Sequence, residues 1–506
     1  MRITVTPDRM KSLEAAFMAE NHVPGALLME HAAQAVRAAL LRRAPGGTAL
    51  FLCGPGNNGG DGYAAARLWQ AAGGRALVWA MPGELRGDAA MNRALALQSG
   101  VPVHTLESCP EALPDADLLV DALFGTGLSR PVDGLAAELI RLVNQSGLPV
   151  VAVDIPSGLD GTTGEALGCA VRAVETVTFH RVKQGLLLRD GPLHAGQITV
   201  APILIPDSDG EPDGLRLLTT ADLPALLPPR PATAQKGDMG RAVLLVGSPG
   251  MAGAAAFCAN ACVRAGAGLT TVLCRASILP VVQTLAPAAV CVPLPERDGL
   301  LAPEAEALTL RALSTADAAC VGCGLGQRID LLPLLRQFAV ADCPTVWDAD
   351  ALNLLSMHEG FLPLSERAVV TPHPGEAARL CGLPVSFFIS EPLEALRQLQ
   401  TLCGCTVLLK GVRTLMTDGE TVAVNGYGTP AMAKGGSGDV LSGLLTALLA
   451  RRLPCSMLET VQLAAALHGL AGLWAAGCDG ENALTPQRLI EGIGRPIAEC
   501  GPLPVQ

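Results

Sequence analysis

Short apolar runs alternate with stretches of helical character along the first 205 residues: TALFLC, a helix from about Tyr63, RALVWAM, DLLVDALF and PVVAVDIP. Runs of this length, bounded by turn residues and separated by helices, predict parallel strands with crossover connections. Around residues 206–238 the chain changes to PDSDGEPDG and then LPPRPATAQKGD, rich in Pro, Gly and charge, which marks a domain boundary. The pattern then restarts with RAVLLVGS, AGLTTVLC, AACVGCGLG, CPTVWDAD, RAVVTPH and CTVLLKG, and a long helix begins near Asp439. The expectation is an α/β protein of two doubly wound domains, residues 1–212 and 213–506, because 506 residues exceed what one core supports. No periodic repeat links the halves.

Half of the residues are apolar and 16% are charged, a globular composition. The net charge of -11 offers no basic footprint for nucleic acid, so a phosphate ligand must be held locally by backbone N–H groups at helix starts. The 16 cysteines are scattered, and the opening MRITVTPDRMKSLE carries no apolar signal core. Both features predict a reducing cytoplasm. The uncharged run Ala242 to Val263 has the length of a membrane span, but its Gly and Pro residues predict a strand, a turn and a helix, so no membrane partner is expected. Cys320 and Cys323 form one C-x-x-C, the spacing of a redox pair or half a zinc site; without a second such pair, they read as small apolar residues at a strand end.

Directly after TALFLC comes GPGNNGGDGYAAARLW, a glycine-rich loop running into a helix, with GPGNNG a literal G-x-G-x-x-G. A dinucleotide site of that type places an acid about 20 residues on, and here the next acid after Asp61 is Glu84. The residues NNGGDG say more, since Asn57, Asn58 and Asp61 are polar groups spaced by glycines; an ordinary solvated turn uses the same residue types. Asp121 and Asp154 stand at the ends of apolar strands, where the ligand crevice of a parallel sheet lies.

The segments LLMEHAA, CGPGNNGGDGYAAA, DALFGTGLSRPV and DIPSGLDGTTGE together resemble the YjeF N-terminal, NAD(P)H-hydrate epimerase family, which implies a Rossmann-like domain. The resemblance implies a potassium ion among Asn58, Asp121 and Ser157. It also implies contacts to the hydrated dinucleotide from Asn57, Asn58, Gly59, Gly60, Asp61, from Gly125, Thr126, Gly127, Leu128, Ser129, Arg130, Pro131, and from Asp154. Amide, carboxylate and hydroxyl oxygens suit a hard cation. Epimerisation requires the ring hydroxyl to leave and return on the other face, which needs an acid or base beside it, and Asp154 is the candidate. Lys183 matches a family position, with solvated, phosphate-pairing and catalytic roles all open. His31 stands where much of the family has Asn.

In the second half, MAKGGSGDVLSGLLTALLA puts Gly435, Gly436 and Gly438 around Asp439 at a helix start. Such a loop can hold an anion while the carboxylate takes a proton; an N-capping Asp has the same sequence signature. With QKGDMGRAVLLVGSPGMAGAAAF, GCGLG, WDADALNLL, TPHPGE and VLLKGVRT, it resembles the ribokinase-like YjeF C-terminal domain, an ADP-dependent NAD(P)H-hydrate dehydratase. By that resemblance Lys410, Gly411, Val412, Arg413, Thr414 and Gly438 hold ADP with magnesium, and Ala254, Gly324, His373 and Asp439 face the hydrate. ADP phosphorylates the ring hydroxyl, phosphate is eliminated, and Asp439 is the catalytic base. Ser437 replaces the Thr common in the family and keeps the hydroxyl. His373 between two prolines reads equally as a structural loop residue. The substrates implied are small molecules, and a homo-oligomer is expected. A sugar or vitamin kinase shares the GSGD signature, and a non-catalytic N-terminal binding module is the other alternative.

Overall fold

The computed structural model describes residues 2–206 and 214–499, so the boundary expected at 212/213 lies outside the described residues. The chain divides into two compact units, Arg2–Leu215 and from Arg216 onward.

In the N-terminal unit the strands are β1 (Thr48–Cys53), β2 (Arg75–Ala80), β3 (Val103–Thr105), β4 (Leu118–Ala122), β5 (Val150–Val153), β6 (Glu175–Phe179) and β7 (Gln197–Ala201). They form one parallel sheet in the order β3-β2-β1-β4-β5-β6-β7. Successive residues of a strand face opposite sides, and here both sides are covered. Phe51, Val120 and Val151 pack with Val36, Leu40 and Trp69, whereas Leu50, Leu52 and Leu119 pack with Leu139, Ile140 and Val143. That double burial is why the runs read as continuously apolar rather than alternating. The order reverses between β1 and β4, and a ligand crevice opens at such a switch point.

The helix after β1 spans Asn57–Ala71, six residues earlier than the expected start at Tyr63. NNGGDG is therefore helical, and its glycines serve close packing rather than loop freedom. A Cβ on Gly59 would lie 1.9 Å from the Gly54 carbonyl oxygen, and one on Gly62 would lie 2.7 Å from Ala122 Cβ and 2.8 Å from Cys53 Sγ.

The C-terminal unit carries β8 (Arg241–Leu245), β9 (Leu269–Arg275), β10 (Val290–Leu294), β11 (Ala318–Val321), β12 (Thr345–Trp347), β13 (Ala368–Val370), β14 (Thr406–Leu409), β15 (Leu415–Thr417) and β16 (Val422–Val424). Their order is β10-β9-β8-β11-β12-β13-β14-β15-β16, parallel as far as β14 and antiparallel beyond it. The switch point lies between β8 and β11. The uncharged run from Ala242 to Val263 resolves into β8, a turn and the helix Ala252–Arg264. Among the described residues one helix, Met457–Asp479, is long and apolar enough to cross a membrane; 67% of its apolar window is buried in the fold, as in a core helix.

Candidate active sites

At the β1/β4 switch point the three residues of the implied potassium set meet. Asp121 is the penultimate residue of β4, fully buried; the Ser157 backbone N–H donates to its Oδ2 at 2.7 Å and the Ser157 hydroxyl donates to its Oδ1 at 2.6 Å. Phe124 N–H donates to Ser157 Oγ at 2.8 Å, and Asn58 Nδ2 donates to the Phe124 carbonyl at 2.9 Å. Burial pushes the Asp121 carboxyl up to about 6 against the lowering effect of the Ser157 and Leu123 hydrogen bonds. Its partners are all neutral, so the buried carboxylate lacks a countercharge among the described residues. Hard oxygens around an uncompensated anion fit a monovalent cation.

Asp154 follows β5 with φ +65°, left-handed backbone that a non-glycine residue rarely adopts. Its Oδ1 accepts from Lys183 Nζ at 2.5 Å, Thr178 Oγ1 at 3.0 Å and Phe179 N–H at 3.3 Å. Lys183 is 1% exposed and also donates to Thr178 Oγ1 and the Phe179 carbonyl, so it is neither solvated nor available to a phosphate. Two more carboxyls share this field. Burial, then Asp154 and Glu14, raise the Asp61 carboxyl well above its ordinary range, partly offset by Lys183. Glu14, on the helix Pro7–Asn21, is raised by burial and Asp154 while Lys183 lowers it. Nothing in the sequence pattern singled out Glu14. The loop from Gly125 to Pro131 is largely open to solvent, and Gly125 lies against Asn58.

In the C-terminal unit the helix Ser437–Ala450 starts after Gly436, whose φ of +98° and contact with Phe257 admit only glycine there. Asp439 sits in its first turn. Burial, reinforced by Cys323 and Asp348 and opposed by Lys410, lifts its carboxyl to about 9. Lys410 Nζ donates to Asp348 Oδ1 at 2.7 Å and lies 3.9 Å from Glu376 Oε2, while the Ser442 hydroxyl donates to Asp348 Oδ2 at 2.7 Å. Burial lowers the Lys410 ammonium, and the two carboxylates outweigh it. A Cβ on Gly438 would lie 3.6 Å from Lys410 Nζ, which puts the helix start beside that cation.

Ala254 and Gly324, 70 positions apart, touch: a Cβ on Gly324 would meet Ala254 Cβ at 2.7 Å. His373 caps the helix Pro374–Cys381, its Nδ1 accepting from Gly375 N–H at 3.0 Å while Glu376 Oε2 accepts from the His373 N–H. Through Glu376 it reaches the Lys410 cluster. In the loop of residues 410–414, Val412 is exposed, Arg413 Nη1 donates to the Gly426 carbonyl and Thr414 accepts from Asn425 N–H. Asp348 and Ser442 hold Lys410 in place and were not singled out from sequence, although WDAD places an acid directly after β12.

Two doubly wound α/β units, each with polar chemistry at its switch point and one with a glycine-bounded helix start beside a lysine, define a two-domain nucleotide-handling enzyme. Residues 25–185 match the model of the YjeF-related protein N-terminus and residues 242–495 that of NAD(P)H-hydrate dehydratase. The bifunctional NAD(P)H-hydrate repair enzyme of Moorella thermoacetica is 35% identical over 506 residues, covering 96% of this chain and 95% of that one. That of Escherichia coli K12 is 37% identical over 415 residues, covering 80% and 76%. A ribokinase-like superfamily protein from Enterococcus faecalis superimposes on 58% of this chain and 99% of its own, at 28% identity and a TM-score of 0.51. The chain belongs to the bifunctional NAD(P)H-hydrate repair enzyme family.

Proposed function

We propose that this protein repairs hydrated NADH and NADPH in two reactions: residues 1–212 interconvert the R and S hydrates, and residues 213–506 dehydrate the S form at the expense of ADP. The observation that carries the reading is that both sets of chemistry-bearing residues close into compact clusters on one chain, Asp154 with Lys183 and Asp61, and Asp439 with Lys410 and Asp348.

In the epimerase site, Lys183 fixes Asp154 through Oδ1, which aims the carboxylate at the ring hydroxyl. Asp61, whose carboxyl is raised well above its ordinary range by burial, is the group that would supply a proton to that hydroxyl as it leaves. Two neighbouring carboxyls, one ion-paired and one raised above its ordinary range, are the pairing an acid–base exchange of a hydroxyl needs. Asn58, Asp121 and Ser157 would hold potassium, which when bound supplies fixed positive charge next to the dinucleotide.

In the dehydratase site, the helix start at Gly438 and the loop of residues 410–414 receive ADP, and magnesium enters with its phosphates, where one or two carboxylates suffice as protein ligands. Asp439 takes the proton of the ring hydroxyl while phosphate transfers to it; phosphate then leaves and the ring is restored. With the Asp439 carboxyl held up at about 9 by burial, the deprotonated form that accepts the proton grows as pH rises toward 9. Ala254 and Gly324 wall the hydrate, and His373 stands over the same cluster. The cytoplasm, as a reducing compartment, suits a chain whose described cysteines are free thiols. The test is chromatography of the two epimers without ADP: their ratio should relax to one equilibrium value from either side, and a ratio that never moves contradicts the epimerase reading.

A further inference from the structure

Three thiols converge in the C-terminal unit. Cys258 lies on the helix Ala252–Arg264, Cys320 in β11 and Cys323 in the loop after it; their Sγ atoms all lie within 4.8 Å of one another, and all three residues are fully buried. The Cys323 thiol also faces the Asp439 carboxyl. Packing alone does not require sulfur at Cys258 or Cys320, since buried alanines fill neighbouring positions on the same helix at Ala255, Ala259 and Ala261 and on the same strand at Ala318 and Ala319. Metal ligation does require it. Zinc–sulfur bonds of about 2.3 Å in tetrahedral array set the sulfur atoms about 3.8 Å apart, inside the spread seen here. Two of the thiols have the C-x-x-C spacing of zinc ligands, and the third arrives from a packed helix, which is why the sequence shows only half of the cluster.

We propose that Cys258, Cys320 and Cys323 bind a soft, thiophilic d10 cation such as zinc or cadmium, and that the occupied site silences dehydration through Cys323, whose thiol faces Asp439. The second half of this inference rests on the reading of Asp439 as the base. Sulfur donors exclude potassium and magnesium, so the ions the two reactions use do not compete. A Cys323 sulfur committed to the metal withdraws its hydrogen bond from the Asp439 carboxyl and sets a metal-bound thiolate beside it, which alters the base that takes the proton from substrate. Each thiol that ligates releases its proton to solvent, so binding weakens as pH falls.

Reduced, chelator-treated full-length protein titrated with cadmium should show sulfur-to-cadmium charge-transfer absorption saturating at one ion per chain, with dehydration lost and epimerisation kept. Cys258→Ala and Cys320→Ala should each retain metal-free dehydration, lose the absorption and escape inhibition; two separate variants keep the test decisive if one fails to fold. Asp439→Asn separates the two halves: its three thiols remain, so the absorption persists whatever the role of Asp439 in catalysis. The proposal is overturned by absent absorption in the parent, by absorption unchanged in both cysteine variants, or by inhibition that persists in them.

Discussion

Lys183 Nζ lies 2.5 Å from Asp154 Oδ1 and donates its other hydrogens to Thr178 Oγ1 and the Phe179 carbonyl, so a fully buried ammonium clamps a carboxylate that sits in left-handed backbone. Lys183→Met removes the clamp and leaves Asp154 without its cation. Epimerisation should fall by roughly 10²- to 10⁴-fold, the range for a positioned acid–base group, while dehydration of the S hydrate stays intact. Loss of one partner of a buried pair also costs about 3–5 kcal/mol, so thermal unfolding of the variant belongs beside its kinetics. Unchanged interconversion in a folded Lys183→Met protein contradicts the assignment.

Asp121 predicts an ion dependence. Its carboxyl is pushed up to about 6 by burial, so the fold disfavours its charge: stability contributed by the protonated form is lost as pH rises from the ordinary carboxylate range through 6. Potassium, binding only the folded ionised form, should restore that loss and raise the melting temperature above pH 6. Asp121→Asn should abolish the potassium-dependent increment and weaken epimerisation. A melting temperature indifferent to potassium in the parent protein counts against the ion site.

Much of the fold and part of each site were legible in the sequence, for identifiable reasons. The strands β1, β4, β5, β8, β11 and β12 are apolar runs ended by Gly or Asp, and double burial makes such runs plain. Strand β6 was missed because Glu175, Thr176 and Thr178 interrupt the apolar pattern, and β7 because Gln197 and Thr199 do; Glu175 is buried with Arg42, Arg43 and Thr199 as partners, all distant in sequence. The helix start at Asn57 was hidden because Gly59, Gly60 and Gly62 read as a loop, when their missing side chains let the helix approach its neighbours. Lys183, Glu14 and Asp348 escaped assignment because their roles depend on partners that only the folded chain supplies.

Gly59 tests that packing argument. Gly59→Ala puts a methyl 1.9 Å from a backbone carbonyl oxygen that cannot rotate away, so the helix and its NNGGD residues must shift. Overpacking of this kind costs about 1–3 kcal/mol. The expected outcome is a lower melting temperature together with lost epimerisation and retained dehydration; an alanine variant as stable and active as the parent contradicts the contact.

Asp439 separates a base from a cap. Asparagine caps a helix about as well as aspartate, so a purely structural residue predicts little change in Asp439→Asn. A base predicts turnover lower by roughly 10²- to 10⁴-fold with ADP affinity nearly unchanged. Because the carboxyl is raised to about 9, its ionisation costs stability progressively as pH climbs from the ordinary carboxylate range toward 9. The Asn variant should therefore melt higher than the parent at alkaline pH, and its kcat/KM should lose the rising limb that the parent shows up to about pH 9.

One measurement tests both activities together: incubation of the purified protein with a mixture of R and S hydrates, with ADP and magnesium or without ADP, following recovery of reduced-nicotinamide absorbance. Two working sites on one chain predict complete recovery of both epimers with ADP and none without it. Recovery that stops at the S fraction and leaves the R hydrate untouched would contradict it.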